Sequence, residues 1–174
     1  MNNLGYRDHK PKIYVGTDHA GFVMKEKLIP FIKELGYEVE DCGAYRYDDT
    51  DDYPDFIAPV AKAVSINRGH VLGIVLGGSG QGEAIVANKY PNVRAIVYYG
   101  RGGIFKDALA AIKLGRIHND SNILSIGARM INLSQAKKAV KVWLETKFPN
   151  EERHSRRIKK IEMISKMIQN SLEY

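Results

Sequence analysis

The stretch Val71-Leu72-Gly73-Ile74-Val75-Leu76-Gly77-Gly78-Ser79-Gly80-Gln81-Gly82-Glu83 decides the fold, because an apolar run gives way at once to a glycine-rich turn. Val71–Leu76 reads as a buried strand, and the helical pattern Ala84–Lys89 follows the turn. A strand that feeds a helix in this way is the building unit of a parallel sheet. Four glycines within residues 77–82 also let bare backbone N–H groups approach an anion, and the helix N-terminus adds a favourable field. The bland alternative is a strand-to-helix turn with no ligand.

The same alternation extends in both directions from this stretch. Lys12–Val15, Glu38–Cys42, Val93–Tyr98 and Asn122–Ile126 predict four more strands, hence an α/β fold with a five-stranded parallel sheet. Ile57, Val60, Ala61 and Val64 recur at helical spacing behind Pro54 and predict a helix to Ile66. Leu28, Phe31, Ile32 and Leu35 mark another over Phe22–Leu35, stopped by Gly36. Pro30 predicts a kink or break in it, since an interior proline costs ~3 kcal/mol. A further helix follows Ser134, with Ala136, Val140, Trp143 and Leu144 on one face. The terminal helix follows Pro149 and carries Ile158, Ile161, Ile164 or Ser165, and Ile168. The expected organisation is a tail at 1–11, a single core at 12–150 and a C-terminal helix at 151–174.

At 174 residues, 44% hydrophobic and 26% charged, the chain suits one ordinary domain. No apolar run approaches the ~20 residues a membrane helix needs, and the polar start has no signal-peptide core, so a cytoplasmic location is expected and a membrane partner is not. One cysteine, Cys42, excludes a disulfide framework within the chain and a cysteine-based zinc cluster. The net charge of +6 suits an anionic partner, with its densest run at Arg153-His154-Ser155-Arg156-Arg157-Ile158-Lys159-Lys160. No interleaved aromatics or recognised module accompany that run, which argues against nucleic acid. Cations in the first turns of a helix oppose its dipole and need another reason to be there.

Two nucleotide motifs fail at the glycine loop. Gly78 and Gly80 would need a third glycine where Glu83 stands, and Gly82-Glu83-Ala84 replaces the Gly-Lys-Ser/Thr of a triphosphate loop. A carboxylate here suits proton transfer beside a developing oxyanion better than it suits triphosphate.

Thr17-Asp18-His19-Ala20-Gly21, Asp52-Tyr53-Pro54, Gly77–Glu83 with Ala87-Asn88-Lys89, His118-Asn119-Asp120, Gly127-Ala128-Arg129 and Arg153-His154-Ser155-Arg156-Arg157 follow one another in a telling order. In that order and approximate spacing the chain resembles the type B ribose-5-phosphate isomerases, a family that also includes allose-6-phosphate and galactose-6-phosphate isomerases. The resemblance covers roughly residues 12–160. It implies a Rossmann-like three-layer sandwich, a homodimer or dimer of dimers with sites completed by the partner, and no cofactor or metal. It also implies one of two bases: a cysteine at the position of Gly77, or a glutamate at that of Glu83. Gly77 and Glu83 fit the glutamate branch, so Cys42 is not the expected base.

The expected reaction is aldose–ketose isomerisation of ribose 5-phosphate and ribulose 5-phosphate through an enediolate. It needs a base and donors for the developing oxyanion. Glu83 fits the base, and Ser79 with the N–H groups of Gly78, Gly80, Gln81 and Gly82 fits the donors. By resemblance His118 and Asp18 open the sugar ring, Asn119 and His19 line the pocket, and Arg129, Arg153, His154 and Arg157 hold the phosphate, the last three reaching the other subunit's site. Between Arg94 and His118 the chain has extra residues, and Tyr98-Tyr99-Gly100-Arg101-Gly102-Gly103-Ile104 replaces the usual loop. A six-carbon phosphosugar such as allose 6-phosphate is the alternative substrate. A non-catalytic phosphosugar-binding regulatory domain is the alternative of another class.

Overall fold

The computed structural model describes residues 10–67, 69–100 and 107–171; most of the expected tail and part of the replaced loop lie outside them. The order is β1 (Lys12–Thr17), α1 (Phe22–Glu34), β2 (Val39–Asp41), α2 (Tyr53–Ile66), β3 (Val71–Gly77), α3 (Gln81–Ala87), β4 (Ala95–Tyr98), α4 (Ala110–Asn119), β5 (Ile123–Gly127), α5 (Leu133–Glu145) and α6 (Glu152–Ser171). All strand pairings are parallel, in the order β2-β1-β3-β5-β4.

The buried runs face two ways because strand side chains alternate. Ile13, Val15, Leu72, Ile74 and Leu76 join Leu28 and Ile32 of α1, Ile112 of α4 and the apolar face of α5 in one core. Val71, Val75 and Ile123 join Ile57, Val60, Ala61 and Val64 of α2 and Ala87 of α3 in the other. Helices therefore cover both faces, as a parallel sheet requires. Trp143 anchors the larger core, fully buried with its indole N–H donating to Ser121 Oγ at 2.9 Å.

Two expectations need correction. α1 runs unbroken through Pro30, which is exposed; the helix carbonyl deprived of its donor belongs to Glu26, also exposed, where water can replace the bond. β4 starts at Ala95 rather than Val93, because the Arg94 and Ala95 N–H groups donate to the side chains of Asn122 (2.7 Å) and Asn88 (2.8 Å).

The connection after β1 leads to one side of the sheet and that after β3 to the other. The crevice between their carboxyl ends is the topological switch point where open α/β sheets bind ligands. No helix among the described residues is long and apolar enough to cross a membrane.

Candidate active site

The loop after β3 is built to close tolerances. Gly80, with φ +80°, caps α3, and a Cβ there would meet Gly127 N and Ile126 C at 3.0 Å. Its carbonyl accepts a hydrogen bond from Ser125 Oγ at 2.6 Å, which ties the loop to β5. Ala128 and Arg129 N–H donate to the carbonyls of Gly77 and Gly78, at 2.8 and 3.0 Å. The Arg129 side chain thereby lies beside Gly78, its Cδ 3.7 Å from where a Cβ would stand. The N–H groups of Gly78, Ser79 and Gly80 make no backbone hydrogen bond to the described residues, and the exposed Ser79 hydroxyl accepts from Gln81 N–H at 3.3 Å.

Glu83 folds back from α3 into this loop and is only 4% exposed. A Cβ on Gly77 would stand 1.8 Å from its Oε1 and 2.1 Å from its Cδ, so the carboxylate occupies the space a side chain at 77 would fill. Burial raises the Glu83 pKa above the ordinary carboxylate value; its own N–H counteracts this and the Asp18 charge adds to it. Asp18 is itself buried and accepts from Ala20 N–H at 3.0 Å. The Asp18 strand end is fixed by Thr17, whose hydroxyl donates to Leu76 O at 2.9 Å. Tyr53 packs over the first turn of α3, its ring 2.9 Å from where a Gly82 Cβ would stand. His19 meets Asp51, Nδ1 to Oδ1, at 2.7 Å.

Asp18, His19 and Asp51 bring one potential metal ligand each within 4.8 Å of one another, although two of these groups are already bonded together. Cys42 is half-buried, and burial with the charges of Glu40 and Asp41 pushes its thiol up to about 11. A thiolate is thereby disfavoured.

The other expected residues gather elsewhere. His118 and Asn119 end α4, which returns the chain to the amino edge of the sheet: Arg94 Nε donates to Asn119 O at 2.9 Å, and Asn122 O accepts from Gly73 N–H at 2.9 Å. The five residues of β5 separate them from Gly127, the partner of Gly77, or roughly 15 Å at strand rise. His154 stacks on His118, with centroids 4.4 Å apart and planes at 17°. Burial, then Arg153, His118 and Arg157, push the His154 imidazole below its usual value, and its Nε2 has no hydrogen-bond partner. Arg153 reaches Glu151 at 2.9 Å, while Arg157 makes no ion pair with a described residue.

Within one chain the structure thus brings together Asp18, His19, Gly78, Ser79, Gly80, Gln81, Gly82, Glu83 and Arg129. His118, Asn119, Arg153, His154 and Arg157 form a second cluster at the opposite edge. Sequence reading missed Asp51 and gave Tyr53, which lies in the quoted motif Asp52-Tyr53-Pro54, no role: nothing in the acidic run Asp48-Asp49-Thr50-Asp51-Asp52 marks which carboxylate turns inward.

Residues 13–161 match the family described as Ribose/Galactose Isomerase. Ribose-5-phosphate isomerase B of Mycobacterium tuberculosis is 40% identical over 147 residues, covering 84% of this chain and 85% of that protein. The chain belongs to the type B ribose-5-phosphate isomerases. The structure of the Clostridium thermocellum type B isomerase superimposes with a TM-score of 0.80 at 38% identity, covering 90% of this chain and 99% of that one. That of the Mycoplasma genitalium type B isomerase, with bound ribulose-5-phosphate, gives 0.82 at 32% identity, covering 89% and 96%. As a member of the type B isomerases the chain is an aldose–ketose isomerase, and its sequence-derived fold, a five-stranded parallel sheet between helices, is the one observed.

Proposed function

We propose that Glu83 is the base with which this isomerase interconverts ribose 5-phosphate and ribulose 5-phosphate, at sites each shared between two copies of the chain. The observation that carries the reading is the Glu83 carboxylate, buried beside the Gly78–Gly82 backbone in space that only a glycine at 77 leaves open. The bound ribulose-5-phosphate of the Mycoplasma genitalium relative supports the five-carbon choice.

In the open-chain aldose, Glu83 takes the proton from C2. The C–H electron pair becomes the C1=C2 double bond, and the C1 carbonyl oxygen takes up negative charge. Loop N–H groups and the Ser79 hydroxyl oppose that charge where it develops. Proton return from Glu83 to C1, with transfer of the C2 hydroxyl proton to the C1 oxyanion, gives the ketose. Burial suits Glu83 to this work, since a carboxylate held above its usual pKa is a stronger base toward a weak carbon acid.

The second copy supplies what one chain holds out of reach. His118 is the ring-opening group beside Asp18, with Asn119 on the sugar and Arg153, His154 and Arg157 on the phosphate. Successive helical positions put Arg153 and Arg157 on one stripe with Ile161, Ile164 and Ile168, which are 51, 56 and 54% exposed. An apolar stripe of this kind beside two arginines suits coverage by a partner subunit. This also explains cations against the α6 dipole: their charge is directed to a phosphate outside the chain.

The test is Glu83→Gln, which keeps the shape but cannot accept the proton. The expected result is a fall in kcat of about 10²–10⁴-fold with KM within about tenfold. A kcat near wild type would remove Glu83 from the base role.

A further inference from the structure

His19 is the one imidazole among the described residues at the Glu83 end of the sheet, and its orientation is set from outside its own segment. Asp51, in the connection between β2 and α2, uses a single oxygen for two contacts. Its Oδ1 accepts the His19 backbone N–H at 3.0 Å and meets the imidazole Nδ1 at 2.7 Å. An ionised carboxylate only accepts, so Nδ1 carries the hydrogen and Nε2 of the neutral ring is left bare. The Asp51 side chain is 10% exposed and that of His19 is 21% exposed, and with Nδ1 held by Asp51 it is Nε2 that is left to meet a ligand. Tyr47 stands edge-on to the same ring, with centroids 6.2 Å apart.

The arrangement is costly as a mere structural tie. Asp51 Oδ2 is buried and has no hydrogen-bond partner, and Asp18 lies close enough for the three ligand atoms to fall within 4.8 Å. A neutral side chain would tie the same loop without leaving an acceptor oxygen unsatisfied. The carboxylate earns its place through what it does to the ring.

We propose that Asp51 is a positioning residue, which locks His19 as the Nδ1–H tautomer so that Nε2 accepts a hydrogen bond from a substrate hydroxyl. Carboxylates that accept from the far nitrogen of a metal-bound imidazole orient it in this way, and the same geometry serves an organic ligand. The proposal rests on the reading of the crevice as the phosphosugar site, so one arm of its test is independent of substrate.

That arm is ¹⁵N NMR of the imidazole of His19 in the free protein, at a pH where the ring is neutral. The wild type should show hydrogen on Nδ1, and Asp51→Ala should move it toward Nε2. A wild-type ring protonated on Nε2 overturns the proposal whatever the substrate. The kinetic arm measures ribose 5-phosphate turnover together with inhibition by inorganic phosphate. Asp51→Ala should raise KM about tenfold with kcat changed less than about threefold, and leave phosphate inhibition unchanged. In a His19→Ala background the same substitution should add less than about twofold. Effects that multiply in the two backgrounds would show a purely structural role, and phosphate inhibition weakened in parallel would place His19 on the phosphate. If Asp51→Ala does not fold, Asp51→Leu keeps the branched shape without an acceptor, and the NMR and KM criteria apply to it unchanged.

Discussion

Gly77→Ala is the smallest change that separates a catalytic Glu83 from a merely buried one. The added Cβ would stand 1.8 Å from Glu83 Oε1, 2.1 Å from Cδ and 2.7 Å from Oε2. Ordinary contact begins near 3.4 Å. The carboxylate must therefore retreat by about 1.6 Å, since strand backbone yields less readily than the end of a flexible side chain. The cost to folding is modest: overpacking typically costs ~1–3 kcal/mol, and Glu83 recovers hydration on leaving its site. A net loss of ~1 kcal/mol would lower Tm by roughly 2–4 °C in a chain of this size.

The cost to catalysis is larger. Misplacing a reacting group by ~1 Å can cost about 10²-fold, or ~2.7 kcal/mol in barrier height. The assay is ribose 5-phosphate turnover beside a thermal melt and a substrate-binding titration. The expected outcome is a folded protein that binds substrate within about tenfold of wild type but turns it over about 100-fold more slowly. Because the lesion acts through Glu83, Gly77→Ala with Glu83→Gln should be no slower than Glu83→Gln alone. A folded Gly77→Ala enzyme with kcat within about threefold of wild type would refute the reasoning, since no base could work equally well from both positions.

If the site is shared, Arg157→Ala and Glu83→Gln homodimers are each impaired. Dissociating and reassembling them together should restore about a quarter of wild-type turnover, because half the dimers are mixed and hold one intact site; proven heterodimers without activity would place each site within one chain. Cys42→Ser should leave turnover nearly intact, and inactivation by a thiol reagent acting through Cys42 without unfolding would contradict the assignment of the base. Glu83 titrates above an ordinary glutamate in the folded state, so the folded protein binds that proton more tightly than the unfolded chain. Its contribution to stability is present in acid and is lost as pH rises through the folded pKa. Glu83→Gln should accordingly melt higher than wild type at neutral pH, with the gain vanishing in acid; equal melting at both would show that the carboxylate carries no burial penalty.

The inner strands β3 and β5 were legible because both faces of this sheet are covered, which writes them as nearly continuous apolar runs. The ends were not, since at Arg94 and Ala95 side-chain amides take the ladder's place. Glycine spacing exposed the close-packed loop after β3, because close backbone approach leaves a compositional trace. The inward turn of Asp51 left none: four aspartates within residues 48–52 have the same local chemistry, and only the packed loop distinguishes them. The separation of His118 from Glu83 within the chain was equally hidden. In an alternating fold the helix after β4 must return to the amino edge, so a residue at its end cannot face a loop at the carboxyl edge of its own sheet.

Charge favours the proposed meeting of the two halves. Around the glycine loop, Asp18, Asp51 and Glu83 place three carboxyl groups near the guanidinium of Arg129 among the described residues. A doubly charged phosphate gains little from such a surface, however well the N–H groups are placed. At the other edge, Arg153 and Arg157 stand with the stacked pair His118 and His154, Arg153 pairing with Glu151. Each half lacks what the other carries, and roughly 15 Å of sheet keeps them apart within a chain. Two copies packed so that α6 of one covers the crevice of the other would bury the Ile161–Ile164–Ile168 stripe and set the cations over the phosphate in a single step. On that account dimerisation creates the phosphate site, and any substitution that keeps the chains apart should raise KM before it alters the fold.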